Sequence, residues 1–177
     1  MKGTKSAIRY AQSLLELSVE QKNTDKVAEN MQALVLAYNE NRDFQMFLSS
    51  PVISAEKKVS ILNSLFANFE DLSKKFMQLI TKNSREYMLS VIAESYIKLL
   101  KQQNGISEVI LTSAFPLDEA TKSVILSKIK SLTADKVEVI EKVDESLIGG
   151  FTIQVEDQMV DASIANQLST IKQRLTK

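Results

Sequence analysis

The sequence predicts an α+β protein in which an N-terminal six-helix bundle over residues 1–104 is followed by a small α+β domain over residues 105–177. Three observations carry this prediction. Between Thr4 and Asn104 apolar residues recur at helical spacing, as in Val27, Met31, Leu34 and Tyr38 at i, i+4, i+7 and i+11. Beyond Gly105 the period shortens to two, with Phe151, Ile153 and Val155 alternating with Thr152, Gln154 and Glu156. The chain holds only four Gly and two Pro, and all but Gly3 and Pro51 fall after residue 104, so the strongest helix breakers gather in the second part.

The first helix is expected from Ser6 to Glu20, with Ala7, Tyr10, Ala11, Leu14 and Leu17 on its apolar side. The second follows Thr24, a residue type that caps helices by accepting from free N–H groups. A short third helix carries Phe44, Phe47 and Leu48 and stops at Ser49-Ser50-Pro51, because Pro disfavours helix in the residue before it and donates no hydrogen bond. Ser54 is placed to cap the fourth, with Glu56 in a first turn where the macrodipole favours an anion. The fifth spans Leu72 to Lys82, with Leu72, Phe76 and Leu79 in register. The sixth runs from Arg85 to Gln103, with Met88, Ile92, Tyr96 and Leu99 on one face, and ends at Asn104-Gly105.

Ile106 to Ala114 then reads as a strand. Pro116-Leu117-Asp118 opens a helix holding Val124, Ile125, Ile129 and Leu132, and Val137 to Val143 is a second strand. Asp157-Gln158 turns the Phe151–Val155 strand back through Met159 and Val160. A closing helix aligns Ile164, Leu168, Ile171 and Leu175.

Composition narrows function. The 22 Lys and Arg balance the 22 Asp and Glu, so no bulk field recruits nucleic acid or anionic lipid. The absence of Cys and His removes disulfides, structural zinc, thiolate nucleophiles and the commonest general base. No cofactor is expected. No apolar run approaches the ~20 residues that cross a bilayer, and Arg9, Gln12 and Glu16 interrupt any leader-like segment, so a soluble chain without a targeting peptide is expected.

Several residues invite a sharper reading. Gly149-Gly150 precedes a strand rather than a helix and lacks a Lys-Ser/Thr tail, so it reads as a structural turn and not as a phosphate loop. Asp144 with Glu145, and Asp157 with Asp161, read as turn and cap carboxylates rather than as a cation site. Lys57-Lys58 and Lys74-Lys75 read as solvated helix faces. The first helix is apolar over a wider arc than one core needs, since Ile8 and Leu15 join the stripe, and the excess could serve a partner's amphipathic helix.

These segments together resemble one family. Arg9-Tyr10-Ala11-Gln12-Ser13-Leu14-Leu15-Glu16-Leu17 resembles the R-Y-A-x-A-L-F-E-L opening of ATP synthase delta subunits and of their mitochondrial counterpart, the oligomycin-sensitivity-conferring protein. Phe47-Leu48-Ser49-Ser50-Pro51-Val52-Ile53 with Lys57-Lys58 is similar to F-L-x-S-P-x-I and its trailing lysine. Asn83-Ser84-Arg85 is similar to the N-x-R segment, and Thr112 to Leu117 to the T-A-x-P-L junction. Val143 to Phe151 resembles V-D-P-S-L-I-G-G-F, with Glu145 in place of Pro. Met159 to Ile164 resembles V-I-D-G-S-I, with Ala162 in place of Gly.

The resemblance implies a non-catalytic stator subunit of a bacterial F-type ATP synthase, at the cytoplasmic face of the inner membrane and reaching the membrane only through the complex. Its implied partners are the N-terminal segment of the alpha subunit, bound by the helical bundle, and the C-terminus of the peripheral-stalk b subunit, bound by the second domain. The implied alpha-subunit groove comprises Tyr10, Ala11 and Leu14 on the first helix with Phe76, Leu79, Ile80 and Asn83 on the fifth. Two other readings remain open from the residues alone: a helical scaffold or regulatory module of another complex, and a small enzyme using Lys or carboxylate groups.

Overall fold

Hydrophobic periodicity produces six helices, which the computed structural model places before a four-stranded sheet. The structure describes residues 2–115, 136–144, 147, 149–155, 158–164, 166 and 168. The chain divides into two units, Met1–Leu100 and Lys101–Lys177.

In the first unit the helices are α1 (Lys2–Glu20), α2 (Thr24–Glu40), α3 (Arg42–Ser49), α4 (Ala55–Leu65), α5 (Asp71–Lys82) and α6 (Leu89–Gln103), with a 3-10 turn at Glu86–Met88 before the last. One apolar core joins them. Ala7, Ala11, Leu14 and Leu15 of α1 meet Val27, Met31 and Leu34 of α2, Leu48 of α3, Leu62 of α4, Phe76, Met77 and Ile80 of α5, and Leu89, Ile92 and Tyr96 of α6. The aromatic rings of Phe47, Phe44, Phe66 and Phe69 pack one on the next in that order, with centroids 4.5–6.2 Å apart.

Several sequence expectations change. α1 starts earlier than Ser6, and its buried stripe passes through Leu15 while Leu17 is 43% exposed. The cap of α2 is Asn23, not Thr24, because the turn at Lys22, with φ of 56°, closes one residue sooner. Thr24 lies inside the helix, and its carbonyl accepts from the Tyr96 hydroxyl at 3.4 Å. Ser54 does cap α4, accepting from the Lys57 N–H at 3.5 Å. The sixth helix begins at Leu89 rather than Arg85, since Ser84 takes a φ of 57° and the chain first makes the 3-10 turn. That turn sets Glu86 beside Lys58.

Lys58 is the clearest departure, because it is buried rather than solvated. Its Nζ donates to the Leu48 carbonyl at 3.0 Å and to Glu86 Oε1 at 2.5 Å, so its charge is matched inside the fold. A second polar contact is also internal. Ser18 Oγ donates to the Leu15 carbonyl at 2.8 Å and shares a hydrogen bond with the Tyr96 hydroxyl at 3.0 Å. Burial pushes the Tyr96 phenol up from its ordinary value, the Ser18 bond pulls it down, and the Asp25 charge adds to the rise.

In the second unit the strands are β1 (Ile106–Ser113), β2 (Lys136–Val143), β3 (Phe151–Val155) and β4 (Gln158–Asp161), ordered β2-β1-β3-β4. Gly105, at φ of 63°, ends α6 in the left-handed conformation that favours glycine. β1 runs parallel to β2 and antiparallel to β3, and β3 pairs antiparallel with β4. Val109 and Leu111 are buried, and Val137, Val139, Phe151 and Ile153 pack on them. The alternation at Phe151 and Ile153 thus reaches the core, as period two requires. A parallel pair needs a crossover between its strands. The helix expected at Val124 to Leu132 falls in that connection and lies outside the described residues, as do Ile171 and Leu175 of the closing helix.

Candidate protein-binding site

On α1 the core takes the stripe through Ala7, Ala11, Leu14, Leu15 and Ser18. Ile8 and Leu17 lie off that stripe and are 42% and 43% exposed, so the helix carries more apolar surface than its own core uses. On α5, Leu72, Phe76, Met77 and Ile80 turn inward, while Leu79 is 52% exposed.

The residues implied for an alpha-subunit groove therefore divide. Ala11, Leu14 and Ile80 are fully buried and Phe76 nearly so, and they offer a partner almost no surface in this conformation. Leu79 and Asn83 are exposed and Tyr10 is half-buried. The four buried side chains serve the unit's own core. The accessible residues on the Tyr10 side are Tyr10 and Leu17 of α1 with Leu79 and Asn83, while Ile8 is exposed on the opposite side of α1.

One contact ties the α1 flank to the end of α5. The Arg85 guanidinium donates to the Tyr10 hydroxyl and lies 5.6 Å from the centre of that ring, a cation–π approach. The Arg85 N–H donates to the Ile80 carbonyl at 3.0 Å, and the positive φ of Ser84 turns the chain between them. Ser6, Arg9, Tyr10, Ser13 and Arg85 line a cavity of about 340 Å³. The two segments singled out in sequence, Arg9-Tyr10 and Asn83-Ser84-Arg85, thus meet at one place. Sequence alone could not pair residues so far apart along the chain.

In the second unit, Gly149 and Gly150 form a turn that closes on Ala162, Ser163 and Ile164. Gly150 has a φ of 83°, and a Cβ there would stand 2.5 Å from the Ala162 carbonyl oxygen. A Cβ on Gly149 would stand 2.6 Å from Ile164 Cδ1, and the Gly149 carbonyl accepts from the Ile164 N–H at 3.0 Å. Gly150 therefore requires the absence of a side chain, whereas at Gly149 the neighbour is the far end of the Ile164 side chain, which can move aside. Asp161 accepts from the Ser163 N–H at 2.8 Å, and hydrogen bonds from Ser163 hold its carboxyl below the ordinary range. Ser163 Oγ in turn accepts from the Asn166 N–H at 3.2 Å, capping the helix that follows.

Within the second unit, Lys101 pairs with Glu138 of β2 at 2.8 Å and Glu108 of β1 at 3.4 Å. The hydrogen bond to Glu138 is the main cause raising its ammonium above the ordinary value. Among the described residues no three carboxylates gather as a metal site would require, and no helix is long and apolar enough to cross a membrane. Glu145 and Asp157 lie outside the described residues.

The comparisons with known proteins agree with one another. Residues 7–175 match the family described as "ATP synthase delta (OSCP) subunit". ATP synthase subunit delta of Christiangramia forsetii is 33% identical over 175 residues, covering 99% of this chain and 95% of that one. Its counterpart in Beijerinckia indica is 34% identical, covering 97% and 92%. A chain in a cryo-EM structure of the Toxoplasma gondii mitochondrial ATP synthase hexamer shares the fold, with a TM-score of 0.80 over 97% of each chain at 19% identity. The match spans both units, including the Gly149-Gly150 turn and the Arg9-Tyr10 and Asn83-Ser84-Arg85 segments, and the chain belongs to the ATP synthase delta (OSCP) subunit family.

Proposed function

We propose that the helical unit works as a six-helix bundle that holds the N-terminal helical segment of an ATP synthase alpha subunit. The sheet-bearing unit joins the C-terminal end of the peripheral stalk's b subunit. As a member of the delta family the chain is a non-catalytic part of the stator. Its task is mechanical: it holds the catalytic head against the torque of the turning shaft, so that rotation stays coupled to proton transport. In a bacterium it does so at the cytoplasmic face of the inner membrane.

The observation that carries the alpha-binding reading is the apolar surface left over on the flanks of two core helices, Tyr10 and Leu17 one above the other on α1 and Leu79 on α5. An amphipathic helix anchors through such residues at i, i+3, i+4 and i+7. Burying them would remove from water the apolar area that the bundle's own packing leaves uncovered.

Leu79→Asp tests the site. Its exposed side chain can change without opening the core, whereas Leu14→Asp would bury a carboxylate and unfold the bundle. Binding of an alpha N-terminal peptide by the full chain should weaken by at least about 2 kcal/mol, the loss expected of an anchor residue. A folded Leu79→Asp variant that binds as tightly as the parent removes this face from the site. Co-purification of alpha, beta and b subunits with the tagged chain from detergent-treated membranes tests the assembly, and their absence would sink it.

A further inference from the structure

We infer that the cavity at Arg9, Tyr10 and Arg85 receives a carboxylate side chain carried by the helical segment that docks on the bundle, and that this ion pair fixes the segment's register and direction. The inference rests on the alpha-binding reading above and adds the chemistry of one contact within it. Two guanidinium groups, one phenol and the hydroxyls of Ser6 and Ser13 line the same 340 Å³ space. The Arg9 guanidinium, the remaining N–H donors of Arg85 and the hydroxyls of Ser6 and Tyr10 make this a lining for an oxyanion, while the Ser13 hydroxyl donates to the Arg9 carbonyl at 3.1 Å. Among the described residues neither Arg9 nor Arg85 pairs with a carboxylate of the chain itself.

Arg85 is already oriented for the task. Its hydrogen bond to the Tyr10 hydroxyl and its approach to the Tyr10 ring restrict the guanidinium, which lowers the ordering cost when a ligand arrives.

The cavity also borders the apolar flank. Tyr10 belongs to both, and Asn83 is two residues from Arg85. An amphipathic helix lying across Tyr10 and Leu79 with an acidic residue at one end would satisfy the two surfaces together. A helix entering in the opposite sense would leave the guanidiniums without their anion, so the contact selects direction as well as affinity.

The test is a double-mutant cycle on the full-length protein. Its probes are a fluorescent peptide of the alpha subunit's first 25 or so residues from the same genome, and copies with each Asp or Glu changed singly to its amide. Arg85→Gln and Arg9→Gln should each weaken binding of the parent peptide about tenfold, and less so in high salt. One amide copy should bind the parent protein about tenfold more weakly, yet lose little further affinity when the arginine is also removed. Arg85→Lys, with charge but no fork, should restore only part. Circular dichroism melts check that the variants stay folded.

Arginine variants that bind the peptide like the parent, while Leu79→Asp still fails, overturn the carboxylate pairing and leave the alpha-binding reading standing. Failure of the unaltered protein to bind the peptide overturns both. Equal losses with every copy, or a native segment without an acidic residue, also overturn the pairing. Saturable binding of inorganic phosphate or anionic vesicles by the unaltered protein, lost in Arg85→Gln with no coupling to the peptide, would assign the cavity to a free anion or a headgroup instead.

Discussion

Tyr96 shows how a single polar group is fitted into an apolar core. Its ring is fully buried, and its hydroxyl is met by Ser18 and by the Thr24 carbonyl. The phenol is held above its ordinary value of 10.0, chiefly by burial. The folded chain therefore keeps this proton to a higher pH than the unfolded chain, so the stability linked to it is complete below about pH 10 and is lost as pH rises through the folded value. Tyr96→Phe keeps the ring but removes the bond, and should cost about 1 kcal/mol at neutral pH. It should also flatten the decline in urea midpoint between about pH 9 and about pH 11. An unchanged decline would assign the alkaline sensitivity to another group. The sequence showed that Tyr96 faces inward, because Ile92 and Tyr96 lie one turn apart. It could not show the partner, since nothing in Ser18's neighbourhood marks a buried hydroxyl.

Among the elements, the linkage of α3, α4 and the 3-10 turn depends on Lys58. Local pattern made Lys57 and Lys58 look alike, yet only Lys57 faces water. The difference comes from Glu86, which lies far along the chain, and from the Leu48 carbonyl at the end of α3. Lys58→Met leaves the Glu86 carboxylate without its cation inside the fold, and should destabilise the chain by roughly 3 kcal/mol, read as a lower urea midpoint. Adding Glu86→Gln should recover much of the loss, because the uncompensated charge goes with it. A double variant no more stable than Lys58→Met would mean that the lysine's hydrogen bond to Leu48, and not the ion pair, holds these elements. Strong periodicity made the helices and the Phe151–Val155 strand legible. The start of α6 was not, because the 3-10 turn answers to Lys58 and to Ser84's left-handed backbone rather than to any local propensity. The same limit governed the candidate groove: spacing put both Leu14 and Leu79 on apolar helix faces, but only packing decides that the core takes Leu14 and leaves Leu79 outside.

At the scale of the whole molecule, each unit has its own buried cluster, one centred on the six helices and one on Val109 and Leu111. Damage to one can therefore be separated from damage to the other. Gly150 is suited to this test, because a side chain there meets the Ala162 carbonyl and its φ of 83° disfavours any L-residue. Gly150→Val should cost the sheet-bearing unit at least about 2 kcal/mol, since a β-branched residue adds a clash to the backbone strain. The helical unit should still bind the alpha peptide with the parent's affinity. Membranes depleted of the native chain and rebuilt with this variant should lose ATP-driven proton pumping, measured by quenching of a pH-sensitive dye. The detached catalytic head should hydrolyse ATP at its usual rate, because a stator transmits torque and takes no part in the chemistry. A rebuilt membrane that pumps normally would show that this turn is dispensable for joining the stalk. If removing the chain abolished hydrolysis by the isolated head, or the purified chain turned over nucleotide by itself, the mechanical role would fall.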